Sequence, residues 1–167
     1  MKAYFISEIK DLKKTETPLT IADVEQPRPT SNEILIKVIV CGVCHTELDE
    51  IEGRTPPSSF PMIPGHQVIG QIIENGPDAR RFAIGTRVGI AWIFSACGKC
   101  SYCLSDQENL CPQFRATGRD ANGGYAEYMM VDENFAYPIP EIFTDAEAAP
   151  LLCAGAIGYR SLRLTNL

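Results

Sequence analysis

Residues 33–48 read EILIKVIVCGVCHTEL. The first nine, from Glu33 to Cys41, are apolar almost throughout and rich in β-branched side chains, the composition of a strand covered on both faces. Beyond Gly42 the pattern changes, and Cys44-His45-Thr46-Glu47-Leu48 reads as the first turn of a helix. A strand that delivers a Cys-His pair to a helix start is a place where chemistry can sit.

Working outward, residues 2–8, 68–74, 86–91 and 125–131 carry similar strand signals. Between them lie Pro27-Arg28-Pro29, Pro56-Pro57, Pro64-Gly65, Asn75-Gly76-Pro77 and Asn122-Gly123-Gly124, the punctuation of tight turns. Short strands at this spacing predict a mainly β fold, a barrel or a sandwich. The end differs, because Asp145 to Pro150 can cap and start a helix that runs through Leu151 and Leu152 towards Leu164. At 167 residues the chain fits one domain large enough to bury a core. No repeat or flexible linker is evident.

Composition excludes several function classes. A net charge of −6 argues against a nucleic-acid partner, which wants a basic face. No apolar run has membrane-spanning or signal-peptide length, so no membrane partner and a cytoplasmic, soluble protein are expected. No G-x-G-x-x-G follows a strand, and Gly155-Ala-Ile-Gly158 does not fit that spacing, so a dinucleotide fingerprint is missing from these residues.

The most specific motif is Cys97, Cys100, Cys103 and Cys111, a C-x2-C-x2-C-x7-C cluster. Four thiolates this close can converge on one tetrahedral Zn²⁺ at about 2.3 Å. An iron–sulfur site shares the Cys-Pro ending but has three residues where seven stand here. Disulfides suit an oxidising compartment, and the cysteine count, 7, is odd. Other soft ligands are few: His45, His66, Cys41, Cys44 and Cys153. His66 follows Pro64-Gly65 in a turn that could aim its ring at Cys44, and a Cys/His/Cys set with an open fourth position is a catalytic zinc arrangement. Cys41 reads as an inert strand cysteine.

These residues together resemble the catalytic domain of the zinc-dependent medium-chain alcohol dehydrogenases. The resemblance rests on Cys41-Gly-Val-Cys-His-Thr-Glu-Leu48, Pro64-Gly-His-Gln67, the four-cysteine loop, Gly123-Gly-Tyr-Ala-Glu-Tyr128 and Ala149-Pro-Leu-Leu-Cys-Ala-Gly155. In style it is nearest to bacterial cinnamyl-alcohol-dehydrogenase-like members. It implies a GroES-like, partly open β-barrel over residues 1–150, with a structural zinc loop at 94–114, and a linking helix over 151–167 towards an absent Rossmann domain. It implies two zinc sites: Cys44, His66 and Cys153 for the catalytic ion, with Gln67 nearby, and Cys97, Cys100, Cys103 and Cys111 for the structural one.

By the same resemblance Thr46 receives the alcohol proton, Asp49 stands where a relay histidine often ends the path, and His45 contacts the cofactor pyrophosphate. Trp92 and Ile51 fall at positions that line the substrate pocket. The implied reaction interconverts an alcohol and an aldehyde or ketone by hydride transfer with NAD or NADP.

Three positions depart from the family pattern. Gln67 replaces a glutamate beside the metal, Glu47 replaces an aspartate that orients the histidine ligand, and Asp49 replaces a histidine. A chain without its cofactor domain is expected to be inactive alone and, through uncovered apolar surface, to self-associate as a homo-oligomer. A zinc-stabilised binding module and an iron–sulfur carrier are the alternative classes.

Overall fold

The computed structural model describes residues 1–165, over which nine short strands and three α-helices follow one another. β1 (Lys2–Phe5) pairs with β2 (Thr20–Asp23) in a small antiparallel ribbon. β3 (Glu33–Cys41), β4 (Val68–Asn75), β5 (Arg87–Ile90), β8 (Tyr128–Asp132) and β9 (Ala136–Pro138) form an antiparallel sheet in the order β8-β3-β4-β5-β9. A third ribbon joins β6 (Ile93–Ser95) to β7 (Arg115–Ala116) and closes the base of the four-cysteine loop. The mainly β architecture expected from the sequence is therefore the observed one.

The central strands behave as their composition demands. Ile34, Ile36, Val68, Ile72, Val88, Ile90, Met129 and Val131 point to one side and form the main core. Ile69 faces the other way, where Ala148 and Ala149 of α2 (Asp145–Pro150) cover it together with Val40, Ile139 and Leu152. Cover on both faces holds for Ile34, Leu35 and Ile36 but not for Ile39, which is 53% exposed. The register between β3 and β4 shifts between Val38 and Val40, so Ile39 is the extra residue of a bulge and is left out of the pairing.

Each of the five strand signals yields a strand: β3 with the expected bounds, β4 one residue longer, β1 and β5 shorter, and β8 shorter and shifted. Tyr125 to Glu127 precede β8 and instead bond to β1, through Tyr4 N–H to Tyr125 O at 2.8 Å and Glu127 N–H to Lys2 O at 3.1 Å. The strands that sequence reading missed, β2, β6, β7 and β9, span only 2–4 residues, too short for alternation to register.

The single helix expected from Asp145 to Leu164 is three pieces. Thr144 caps α2 and exchanges bonds with Glu147, a capping box. Residues Leu151–Gly155 then widen into a π-helical turn before α3 (Ala156–Leu164) resumes ordinary geometry. Leu152 packs over Gly89 of β5, so close that a Cβ there would lie 2.9 Å from a Leu152 methyl. That contact fixes where the next residue, Cys153, sits.

Candidate metal centres and the adjoining cleft

The four-cysteine loop brings Cys97, Cys100, Cys103 and Cys111 together with every sulfur within 4.8 Å of the others. Cys97 and Cys103 sulfurs are 3.8 Å apart and those of Cys100 and Cys103 are 3.5 Å apart. The edge of a tetrahedron with zinc–sulfur bonds of about 2.3 Å is about 3.8 Å, so the spacing fits one zinc ion. Backbone amides already point at these sulfurs: Cys97 N–H donates to Cys111 Sγ at 3.4 Å, and Cys100 N–H to Cys97 Sγ at 3.3 Å. The amides of Lys99 and Cys100 pull the Cys97 thiol down to about 6, towards the thiolate a metal needs. All seven cysteines are free thiols, so the disulfide alternative has no support in the structure.

The second cluster draws on three distant parts of the chain. Cys44, His66 and Cys153 present ligand atoms within 4.8 Å of one another. Cys44 is the cap residue of α1 (His45–Ile51) and not, as its sequence context suggests, inside the first turn; its extended backbone, φ −123° and ψ 163°, ends the strand connection. Its sulfur lies 3.9 Å from that of Cys153. Burial first, then the Cys44 thiol beside it, push the Cys153 thiol up to about 11, while the Gln67 amide acts in the opposite sense. A cation shared between these two sulfurs would stabilise the thiolate of Cys153 against that shift.

His66 is fully buried, and neither ring nitrogen has a hydrogen-bond partner. Its Nδ1 lies 2.7 Å from Glu47 Oε1, with the ring N–H off the line to that oxygen, which leaves Nε2 free for a metal. The turn that aims it depends on Gly65, at φ +98°, where a Cβ would lie 2.5 Å from the Tyr125 ring. Glu47 also serves a second ligand, because its Oε2 accepts the Cys44 N–H at 2.7 Å. One carboxylate thus aligns two ligands, and the longer Glu47 side chain reaches both.

Gln67 is buried, and its amide oxygen lies so near Gly42 that a Cβ there would be 2.5 Å from it. Thr46 Oγ1 is 3.6 Å from Cys44 Sγ and opens into the adjoining cleft. His45 is exposed, with Nε2 3.5 Å from Asp49 Oδ1, and Arg54 Nε also bonds that Asp49 oxygen. Cys41 is half-buried, and burial pushes its thiol up to about 12, in keeping with an inert role.

The cleft beside the second cluster encloses about 900 Å³. Thr46, His66 and Cys153 form its floor, and Trp92 forms part of its wall. The Trp92 and His66 rings meet edge-on with centroids 4.9 Å apart. Ile51 does not line this cleft; it is 4% exposed and lies at the far end of α1, where its carbonyl accepts the Lys10 N–H at 2.9 Å.

Sequence reading missed the opposite wall, made by Leu152, Ile157, Arg160 and Arg163 from the last helix together with Tyr137. The i, i+3, i+4, i+7 spacing of Cys153, Ala156, Ile157 and Arg160 was the available signal. It also missed Glu50, a fully buried carboxyl with neither oxygen hydrogen-bonded. Burial first, then repulsion from Glu47, push Glu50 up to about 8.

The pattern of the alcohol dehydrogenase GroES-like domain matches residues 30–141. A probable alcohol dehydrogenase, AdhA, of Mycobacterium tuberculosis is 49% identical over 155 residues, covering 90% of this chain and 45% of its own length. An alcohol dehydrogenase of Geobacillus stearothermophilus is 41% identical over 167 residues, covering 99% of this chain and 48% of its own. Among solved structures, a cinnamyl alcohol dehydrogenase from Sorghum bicolor superposes with a TM-score of 0.85 at 27% identity, over 99% of this chain and 48% of that one. An enzyme of the same abbreviation, CAD, from Helicobacter pylori, complexed with NADP(H), gives 0.86 at 27% identity over the same shares. The chain spans about half the length of the curated relatives it matches.

Proposed function

Because the chain belongs to the alcohol dehydrogenase GroES-like domain family, we propose that it is the zinc- and substrate-binding half of a zinc-dependent alcohol dehydrogenase. Its reaction would interconvert an alcohol and an aldehyde or ketone, the alcohol giving a hydride to NAD or NADP and a proton to the protein. The carrying observation is the convergence of Cys44, His66 and Cys153 on one point at the floor of an open cleft, with His66 Nε2 buried and unpartnered. A zinc ion bound there supplies Lewis acidity that lowers the pKa of an alcohol.

The chain's own residues do the rest. Glu47 holds the Cys44 backbone and the His66 ring in one arrangement. Thr46, beside Cys44 at the floor of the cleft, takes the alcohol proton on its hydroxyl, and His45 and Asp49 follow it on α1 to pass it outward. Asp49, which pairs with Arg54, stands where the path ends, and a carboxylate is a weaker base there than a neutral imidazole. Trp92 restricts the cleft on one side. NAD(P) enters with a Rossmann domain, on which hydride transfer depends. Without that domain the chain is inactive and, in the cytoplasm, self-associates through its uncovered apolar surface. Cys97, Cys100, Cys103 and Cys111 hold a structural zinc.

Metal analysis of the purified chain tests this reading. Two zincs per chain, one of them lost in Cys153→Ser, is the expected result. One zinc unaffected by Cys153→Ser would reduce the chain to a zinc-stabilised module, and iron with a brown colour would replace the reading by an electron carrier.

A further inference from the structure

The loop that follows β7 is pinned at two places beside the second metal cluster. Thr117 N–H donates to Trp92 O at 2.9 Å and the Thr117 hydroxyl to Ala91 O at 2.8 Å, which ties the loop to the segment carrying Trp92. Gly118, at φ +83°, packs so tightly on the turn before His66 that a Cβ there would lie 2.8 Å from Gly65 N. The next residue, Arg119, is therefore delivered to a fixed place, where its carbonyl accepts the Ser58 N–H at 2.9 Å.

That place is the face of an aromatic ring. Arg119 does not line the cleft, but its guanidinium carbon lies over the Trp92 ring, 5.6 Å from the centroid and inside the cation–π range of about 6 Å. Asp120 orients the guanidinium, accepting from Nη2 at 2.9 Å and from Nε at 3.3 Å, and Asp120 is itself held by the Ala116 N–H at 2.8 Å. The indole thus has two fixed neighbours: the Arg119 cation, and the His66 imidazole edge-on at 4.9 Å. A ring held that close to His66 occupies space beside the metal end of the cleft.

We propose that Arg119 is a positioning residue that holds Trp92 against His66, and that the metal end of the cleft thereby favours primary alcohols and aldehydes over secondary alcohols and ketones. A second substituent on the reacting carbon needs the room that the indole takes. The selectivity rests on the function proposed above for Cys44, His66 and Cys153. The hold on Trp92 is independent of it.

Two small metal-binding probes test the room at that end without any cofactor: imidazole, and 2-methylimidazole, which carries a methyl beside its donor nitrogen. Calorimetry on the zinc-loaded chain measures both in the wild type, Arg119→Ala, Arg119→Leu and Arg119→Lys. Trp92 is the single tryptophan, so its fluorescence anisotropy reports indole mobility in the same samples. The wild type should prefer imidazole. That preference should shrink by about two- to fivefold in Arg119→Ala and Arg119→Leu, with lower anisotropy, and be partly retained in Arg119→Lys, which keeps the cation but not the fork. In a Trp92→Ala background, Arg119→Ala should leave the preference unchanged, because the guanidinium acts only through the indole.

Wild-type preference and anisotropy in Arg119→Ala and Arg119→Leu, even with lowered stability in urea, would overturn the proposal and leave Arg119 a purely structural residue. An Arg119→Ala effect of equal size in the Trp92→Ala background would overturn it too. Failure of the zinc-loaded wild type to bind either azole would instead sink the metal reading and the selectivity drawn from it, while the anisotropy still decides the hold on Trp92.

Discussion

Replacing Glu50 by glutamine should stabilise the protein above neutral pH and do nothing in mild acid. Glu50 sits in α1 with no exposed surface and no hydrogen bond to either oxygen. Burial and the nearby Glu47, Asp120 and Cys44 outweigh attraction from Arg119, and together they raise its carboxyl from 4.5 to about 8. The folded protein therefore keeps a proton there that the unfolded chain releases, so the unfolded state binds fewer protons between these values. Stability should be fully present below about pH 4.5, fall as pH rises, and level off above about pH 8.

At 1.36 kcal/mol per pH unit the full interval corresponds to about 4–5 kcal/mol, which water entry and local relaxation should reduce to about 2 kcal/mol. Urea unfolding of the wild type and Glu50→Gln under reducing conditions, at about pH 5 and about pH 8, measures it. The variant should match the wild type at the lower pH and exceed it by about 2 kcal/mol at the higher one. A stability difference that is equal at both pH values would refute the reasoning, because it would mean that Glu50 is no more reluctant to ionise when folded than when unfolded.

Other outcomes follow from the same geometry. Cys111→Ser should lose one zinc and make the segment between Cys97 and Cys111 cleavable in limited proteolysis, leaving the metal bound at Cys44 and His66 in place. Gly123→Ala puts a Cβ 2.1 Å from the Gly65 carbonyl oxygen and 2.7 Å from that of Pro64. Because backbone must move, denaturant titration should show a loss of about 3 kcal/mol, together with weaker metal binding at the adjoining His66. Gly158→Ala meets nothing within 4 Å on a helix and should raise stability by about 0.5–1 kcal/mol in the same assay. Gly89→Val would press on the Leu152 methyls that seat the π-turn, and metal analysis should show the Cys153 site losing its ion before the four-cysteine site does.

The sheet was legible because its middle strands are simple. Ile34 to Ile36 are buried whichever way they face, so an unbroken apolar run marks them, whereas β6 and β7 owe their pairing to the loop they close and carry no pattern of their own. The bulge at Ile39 was invisible for a related reason: an apolar residue looks the same in sequence whether the ladder includes it or leaves it out.

The four-cysteine site was determined by the sequence itself, because its ligands lie within 15 residues and short spacers alone bring thiolates together. Cys44 and His66 were legible as candidate ligands from residue type and turn chemistry, and the family resemblance added Cys153. Only the tertiary structure brought Cys153 to them, across 109 residues, through α2 packed on Ile69, Leu152 seated on Gly89, and a π-turn that redirects the helix. It alone showed that Glu47 spans Cys44 and His66, that Ile51 lies outside the cleft, and that Arg160 and Arg163 stand within it. The physical reason is range: spacing governs groups that one loop carries, whereas packing governs groups that separate elements carry.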